Sequence, residues 1–80
     1  MSILKDFLEQ DADKYCKRIL LDAIAELQAD TVREFTFNRF NVRLVGSTAM
    51  AEIEDEFEVS LEGQCSLTLD QFKEALAKHQ

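Results

Sequence analysis

Ala49-Met50-Ala51-Glu52-Ile53-Glu54-Asp55-Glu56-Phe57-Glu58-Val59-Ser60-Leu61-Glu62 decides how the rest of the chain is read. At a period of two it separates into two faces. Met50, Glu52, Glu54, Glu56, Glu58, Ser60 and Glu62 fall on one side; Ala49, Ala51, Ile53, Asp55, Phe57, Val59 and Leu61 fall on the other. Strict alternation is the pattern of a half-buried antiparallel strand. One face is a row of carboxylates, and the other enters a core interrupted only by Asp55.

Upstream, Phe40, Val42 and Leu44 alternate with Asn41, Arg43 and Val45, and Gly46-Ser47 separates this run from the glutamate strand. Glycine at the first central position favours a two-residue type II′ turn. The resulting register sets Leu44 opposite Ala49, Val42 opposite Ala51 and Phe40 opposite Ile53. On the outer face Arg43 meets Met50, Asn41 meets Glu52 and Arg39 meets Glu54. Phe35 and Phe37 have the opposite parity to Phe40. A bulge at Asn38-Arg39 would return both rings to the core, with Phe37 opposite Asp55 and Phe35 opposite Phe57. Without a bulge they would stand exposed beside the glutamates and mark a partner site.

Before the strands, Leu4, Leu8, Ala12, Tyr15, Cys16, Ile19, Leu20, Ala23, Ile24 and Leu27 recur in steps of three and four. This stripe predicts one helix over about residues 3–28, capped by Ser2. Asp11 or Asp13 could instead cap a second helix after a break near residue 11. After Gly63-Gln64, Cys65-Ser66-Leu67 offers a short third strand or a connector. Thr68 with Gln71 forms a capping box, and Leu67 before it can staple onto Phe72. These predict a helix over Leu69 to Lys78. The fold class is α+β in the order α-β-β-α, a long N-terminal helix, an antiparallel hairpin and a short C-terminal helix, with the helices on one face of the sheet. Residues 1–80 make one domain.

The order of elements resembles that of double-stranded RNA-binding domains. Those domains place basic residues at the start of their last helix. Leu69-Asp70-Gln71 stands there in this chain. Net charge is −7 over 80 residues, which opposes electrostatic binding to nucleic acid or anionic membranes. No nucleic-acid or membrane partner is therefore expected. A chain this short buries about 60–65% of its unfolded surface, and partner chains commonly supplement such a core. The charged opening Ile3-Leu4-Lys5-Asp6 is unlike a signal peptide, and no apolar run spans a bilayer. A cytoplasmic location with reduced Cys16 and Cys65 is expected.

Catalytic chemistry is not evident. The one histidine, His79, stands next to the last residue. Cys16 lies on the apolar stripe, and Cys65 has no neighbouring base. Two cysteines and one histidine do not make a zinc site. Same-face glutamates along a strand are ~6.7 Å apart, too far to converge easily on one cation. No enzyme activity, metal or cofactor is expected. The stripe can act on another protein. Its carboxylates lie within a Debye length of about 8 Å, so their fields add and would steer a basic surface. Glu52, Glu54, Glu56, Glu58 and Glu62, with Arg39 and Arg43 among them, are the candidate partner-binding residues. The leading expectation is a small interaction module that binds another protein through this face or an open strand edge, and inhibits or regulates it. Inhibitors and immunity proteins of phages and mobile elements are similar in size and charge. The alternative is a structural homodimer, or a subunit of a larger assembly, joined through a strand edge.

Overall fold

The computed structural model describes residues 3–57 and 63–79. Seven elements follow in order: α1 (Ile3–Gln10), α2 (Lys14–Glu26), β1 (Val32–Thr36), β2 (Phe40–Val45), β3 (Met50–Asp55), β4 (Gln64–Thr68) and α3 (Leu69–Lys78). The strands form one antiparallel sheet in the order β1-β2-β3-β4. The class is α+β, with two helices before the sheet and one after it.

The single helix expected over residues 3–28 is two helices. Two carboxylates make the break. Asp13 accepts the Cys16 N–H at 2.8 Å and caps α2. Asp11 turns away from the helix axis and accepts the N–H groups of Arg39 and Phe40 at 2.9 Å each. Aspartate side chains compete for backbone donors in this way, which is why they favour caps over helix interiors. The apolar stripe does not pass the break intact, since Tyr15 is 74% exposed, but both helices turn toward one core. Phe7 of α1 and Leu20 of α2 are both fully buried in it.

The stretch from Thr31 to Val45 is also two elements. Phe37 N–H donates to Phe40 O at 2.9 Å and closes a tight reversal through Asn38 and Arg39. The bulge expected there is a hairpin turn. It resolves the parity conflict more completely than a bulge would. Phe35 pairs with Val42 across β1 and β2, so it takes the core side of the sheet. Phe37 lies at the turn, its ring 6.1 Å from Phe7 and 6.2 Å from Phe35. The expected pairings of Phe37 with Asp55 and Phe35 with Phe57 do not form; Phe40 stands opposite Asp55.

Between β2 and β3 the connection is Gly46-Ser47-Thr48-Ala49, four residues rather than two. Val45 pairs with Met50, Leu44 with Ala51, Val42 with Ile53 and Asn41 with Glu54. The register is displaced by two from the expected one. A shift of two preserves every face, because side chains alternate with a period of two. The role assigned to Gly46 also changes. Its φ is not positive; the left-handed residue is Ala49, at φ 54°. Gly46 is needed for close approach. A Cβ there would stand 1.8 Å from Gln28 O, at the end of α2.

Inward-facing Phe40, Val42, Leu44, Ala51, Ile53 and Leu67 share one buried cluster with Phe7, Leu20, Phe72 and Leu76 of the helices. Phe7 is central, with the rings of Phe40 and Phe72 at 5.8 and 6.0 Å. α1 and α3 each lie against β3 and β4, and α2 lies against α3. The capping box of α3 forms as expected. Gln71 N–H donates to Thr68 Oγ1 and Thr68 N–H to Gln71 Oε1. The glutamate strand is shorter than its alternation suggests, ending at Asp55 with a turn at Glu56 and Phe57. Ser2, the expected cap of the first helix, lies outside the described residues.

Two substitutions test the turn. Gly46→Ala forces a backbone clash and should cost about 1–3 kcal/mol, the range of overpacking. Ala49→Gly relieves a left-handed alanine, worth about 1–2 kcal/mol, against a glycine entropy cost of about 0.5–1 kcal/mol. It should leave stability unchanged or raise it by up to about 1.5 kcal/mol. Urea unfolding at neutral pH measures both, and a tolerated Gly46→Ala would contradict the contact with Gln28.

Candidate functional site: the acidic outer face of the sheet

Strand pairing places the outward side chains in rows across the sheet. Glu34, Arg43, Glu52 and Ser66 make one row; Thr36, Asn41, Glu54 and Gln64 make the next. A third row, Val32, Val45, Met50 and Thr68, closes the end near the β2–β3 turn. Glu34, Glu52, Glu54, Gln64 and Ser66 are all exposed. The surface is a groove of about 590 Å³ bordered by Glu34, Asn41, Arg43, Glu52, Glu54 and Glu56.

Its electrostatics are uneven. Arg43 donates from Nε to Glu34 Oε1 at 2.9 Å, and its guanidinium lies 3.8 Å from Glu52 Oε1. One cation thus serves two carboxylates across three strands. Glu54 and Glu56 have no cationic partner among the described residues. Negative potential is concentrated at their end of the groove. Exposed pairs such as Arg43–Glu34 each stabilise by only about 0–1 kcal/mol, so an incoming cation can compete for these carboxylates at little cost. Asn41 Oδ1 lies in the floor, shielded from solvent and with no donor in reach among the described residues.

Arg39 does not join this face. It was expected opposite Glu54, where the register puts Asn41. It sits in the β1–β2 turn and grips Asp55 with a forked pair, Nε to Oδ1 at 3.0 Å and Nη2 to Oδ2 at 2.6 Å. Its Nη1 donates to Gln10 Oε1 at 2.8 Å. Asp55 is 2% exposed and also accepts the Phe57 N–H at 2.9 Å. The Arg39 hydrogen bonds hold the Asp55 carboxyl below the usual carboxylate range; burial opposes them and the Phe57 N–H adds to them. The same hydrogen bonds raise the Arg39 guanidinium. This buried pair satisfies the one charge in the inward row of β3.

The structure therefore brings together Glu52, Glu54, Glu56 and Arg43; the Arg39 carbonyl accepts the Glu56 N–H at 3.0 Å, but its guanidinium turns to Asp55 and not to these glutamates. Glu58 and Glu62 lie outside the described residues. Sequence reasoning did not include Glu34, Asn41 and Gln64 in the site. Glu34 was readable only once β1 was separated from β2, because its place beside Arg43 depends on the turn at Asn38-Arg39.

Cys16 is 3% exposed. Burial, then Asp13 and Asp11, push its thiol up to about 12. Burial also raises the Cys65 thiol. Both shifts favour the neutral thiol. His79 ends α3, and its carbonyl accepts Lys17 Nζ from α2. Among the described residues no three acidic, histidine or cysteine side chains are arranged to hold a metal, and no helix is long and apolar enough to cross a membrane. No protein-family model, curated protein or solved structure matches the chain.

The Asp55 pair sets a pH dependence. An unfolded carboxyl of this kind titrates near 3.8, and the folded one lies lower. Its contribution is complete above about pH 3.8 and is lost as pH falls through the folded value. Urea midpoints of the wild type should decline steeply below pH 4. Asp55→Asn should be less stable at pH 7 and show a shallower decline in that window. Parallel pH profiles for the two proteins would contradict the assignment.

Proposed function

We propose that this chain is a non-enzymatic interaction module that binds a basic surface of another protein on the outer face of its sheet, and inhibits or regulates that protein by covering the surface. The observation that carries this reading is the charge map of the groove. Glu34, Glu52, Glu54 and Glu56 border one concave face, and Arg43 is the one cation among the residues that border it. Like carboxylates held this close repel each other, and a cationic ligand relieves the repulsion. A complementary surface speeds association and fixes orientation. The uneven pairing by Arg43 gives the face a direction, with the Glu54–Glu56 end meeting the strongest positive charge. The small size and acidity shared with inhibitors of phages and mobile elements support the same reading by analogy.

A lysine- and arginine-rich hexapeptide serves as a probe of location. In a ¹H–¹⁵N titration it should shift the amides of Asn41, Arg43, Glu52, Glu54 and Gln64, and those of α2 much less. Glu52→Lys/Glu54→Lys should abolish the shifts, and raised salt should weaken them. Shifts distributed over the acidic positions of α1 and α2, or retained in the double variant, would overturn the proposal.

A further inference from the structure

Among the described residues neither outer strand of the sheet has a further partner strand, and the two edges differ in chemistry. β1 carries Arg33 and Glu34 at its centre. Charged side chains are a common defence of an exposed edge. β4, Gln64-Cys65-Ser66-Leu67-Thr68, carries no charge and no proline. No described residue pairs with its outer side.

The direction of each backbone group on β4 follows from the ladder. Leu69 N–H donates to Ala49 O, toward β3. In an antiparallel ladder both polar groups of a residue point the same way, and alternate residues point oppositely. Leu67 and Cys65 thus face β3, while Thr68, Ser66 and Gln64 face the edge. The capping box agrees, since Thr68 N–H goes to Gln71 and not to β3. Thr68 is thereby occupied. Among the described residues nothing occupies Gln64 and Ser66, each of which turns an N–H and a C=O to the outside.

We infer that the β4 edge is a self-pairing surface, on which a second copy of this chain adds its own β4 antiparallel, with Cys65 opposite Cys65 across a two-fold axis. In this register Gln64 of each copy meets Ser66 of the other. Four backbone hydrogen bonds form, and the edge groups of both residues are all used. Side chains agree with backbone. Gln64 and Ser66 meet on the outer face, neutral and polar, and the two Cys65 meet on the inner face. A non-hydrogen-bonded antiparallel pair brings Cα atoms to about 4.5 Å, within the range a disulfide spans. The β1 edge does not offer this match: a two-fold centred on Arg33 or Glu34 sets like charges directly opposite, which is destabilising. The product is one eight-stranded sheet whose two acidic grooves lie on the same side. The pairing itself is independent of what those grooves bind.

The test uses the whole chain and needs no other partner. Sedimentation equilibrium should show a concentration-dependent dimer. Copper–phenanthroline in air removes two electrons and two protons from a pair of thiols, and should give a covalent dimer containing a Cys65–Cys65 peptide. Cys65→Ser should prevent it, and Cys65→Ser/Glu34→Cys should not restore it. Gln64→Lys/Ser66→Lys and Gln64→Asp/Ser66→Asp oppose like charges on exposed positions. Each alone should raise the dimer Kd at least about tenfold without changing the circular dichroism of the monomer. Mixing the two should recover a heterodimer. A monomer at every concentration overturns the inference, as does a dimer indifferent to the charge variants or lacking the Cys65 cross-link.

Discussion

Asp11 is the residue on which the two halves of the fold depend. Its carboxylate leaves the helical path between α1 and α2 and takes the N–H groups of Arg39 and Phe40. A buried carboxylate without donors would be severely penalised. A tight turn with inward amides has the complementary problem. Each solves the other. Arg39, positioned by that contact, reaches Asp55 at the end of β3 and Gln10 at the end of α1. The helix break, the first hairpin and the end of the third strand are thus joined by one polar cluster at the margin of an otherwise apolar core.

Because this cluster absorbs Arg39 and Asp55 structurally, the outer face is left to the glutamates. The sheet divides its charges by side. Inward, one carboxylate is matched by one guanidinium in a forked, low-exposure pair. Outward, two carboxylates share Arg43, and their contacts are solvent-exposed and individually weak. The inward pair specifies structure, and the outward carboxylates stay exposed to solvent. The same sheet also has an uncharged edge at β4, so face and edge offer two separate surfaces on a small chain.

Much of the architecture was legible because local chemistry and periodicity agreed. Thr68 and Gln71 announced α3 with its cap, and the alternation around Ile53 identified the buried side of β3. Between Phe40 and Asp55 the two faces were read correctly even though the register was off by two, since the period of the pleat makes that error silent; beyond the strand ends, Phe57 is exposed and not inward. The misreadings have a common origin. Gly46 does lie in the β2–β3 turn, but that turn has four residues and not two, and the glycine is required sterically by Gln28, distant in sequence. Asp11 and Asn38-Arg39 were each ambiguous alone, and only their contact with one another turns one into a break and the other into a hairpin.

The sequence by itself determined the α+β class, the inward residues of β2 and β3, the carboxylate face of β3 and the boundaries of α3, all consequences of short-range pattern; it did not find Phe7, which is fully buried, and it turned Tyr15 and Phe57 inward although both are exposed. Tertiary structure decided the number of helices and strands, the register, the burial of Asp55 with Arg39, and the placing of Glu34 beside Arg43 and Glu52. Those features are pairings between distant groups. A periodicity records which side a residue faces, but it carries no information on which partner waits there.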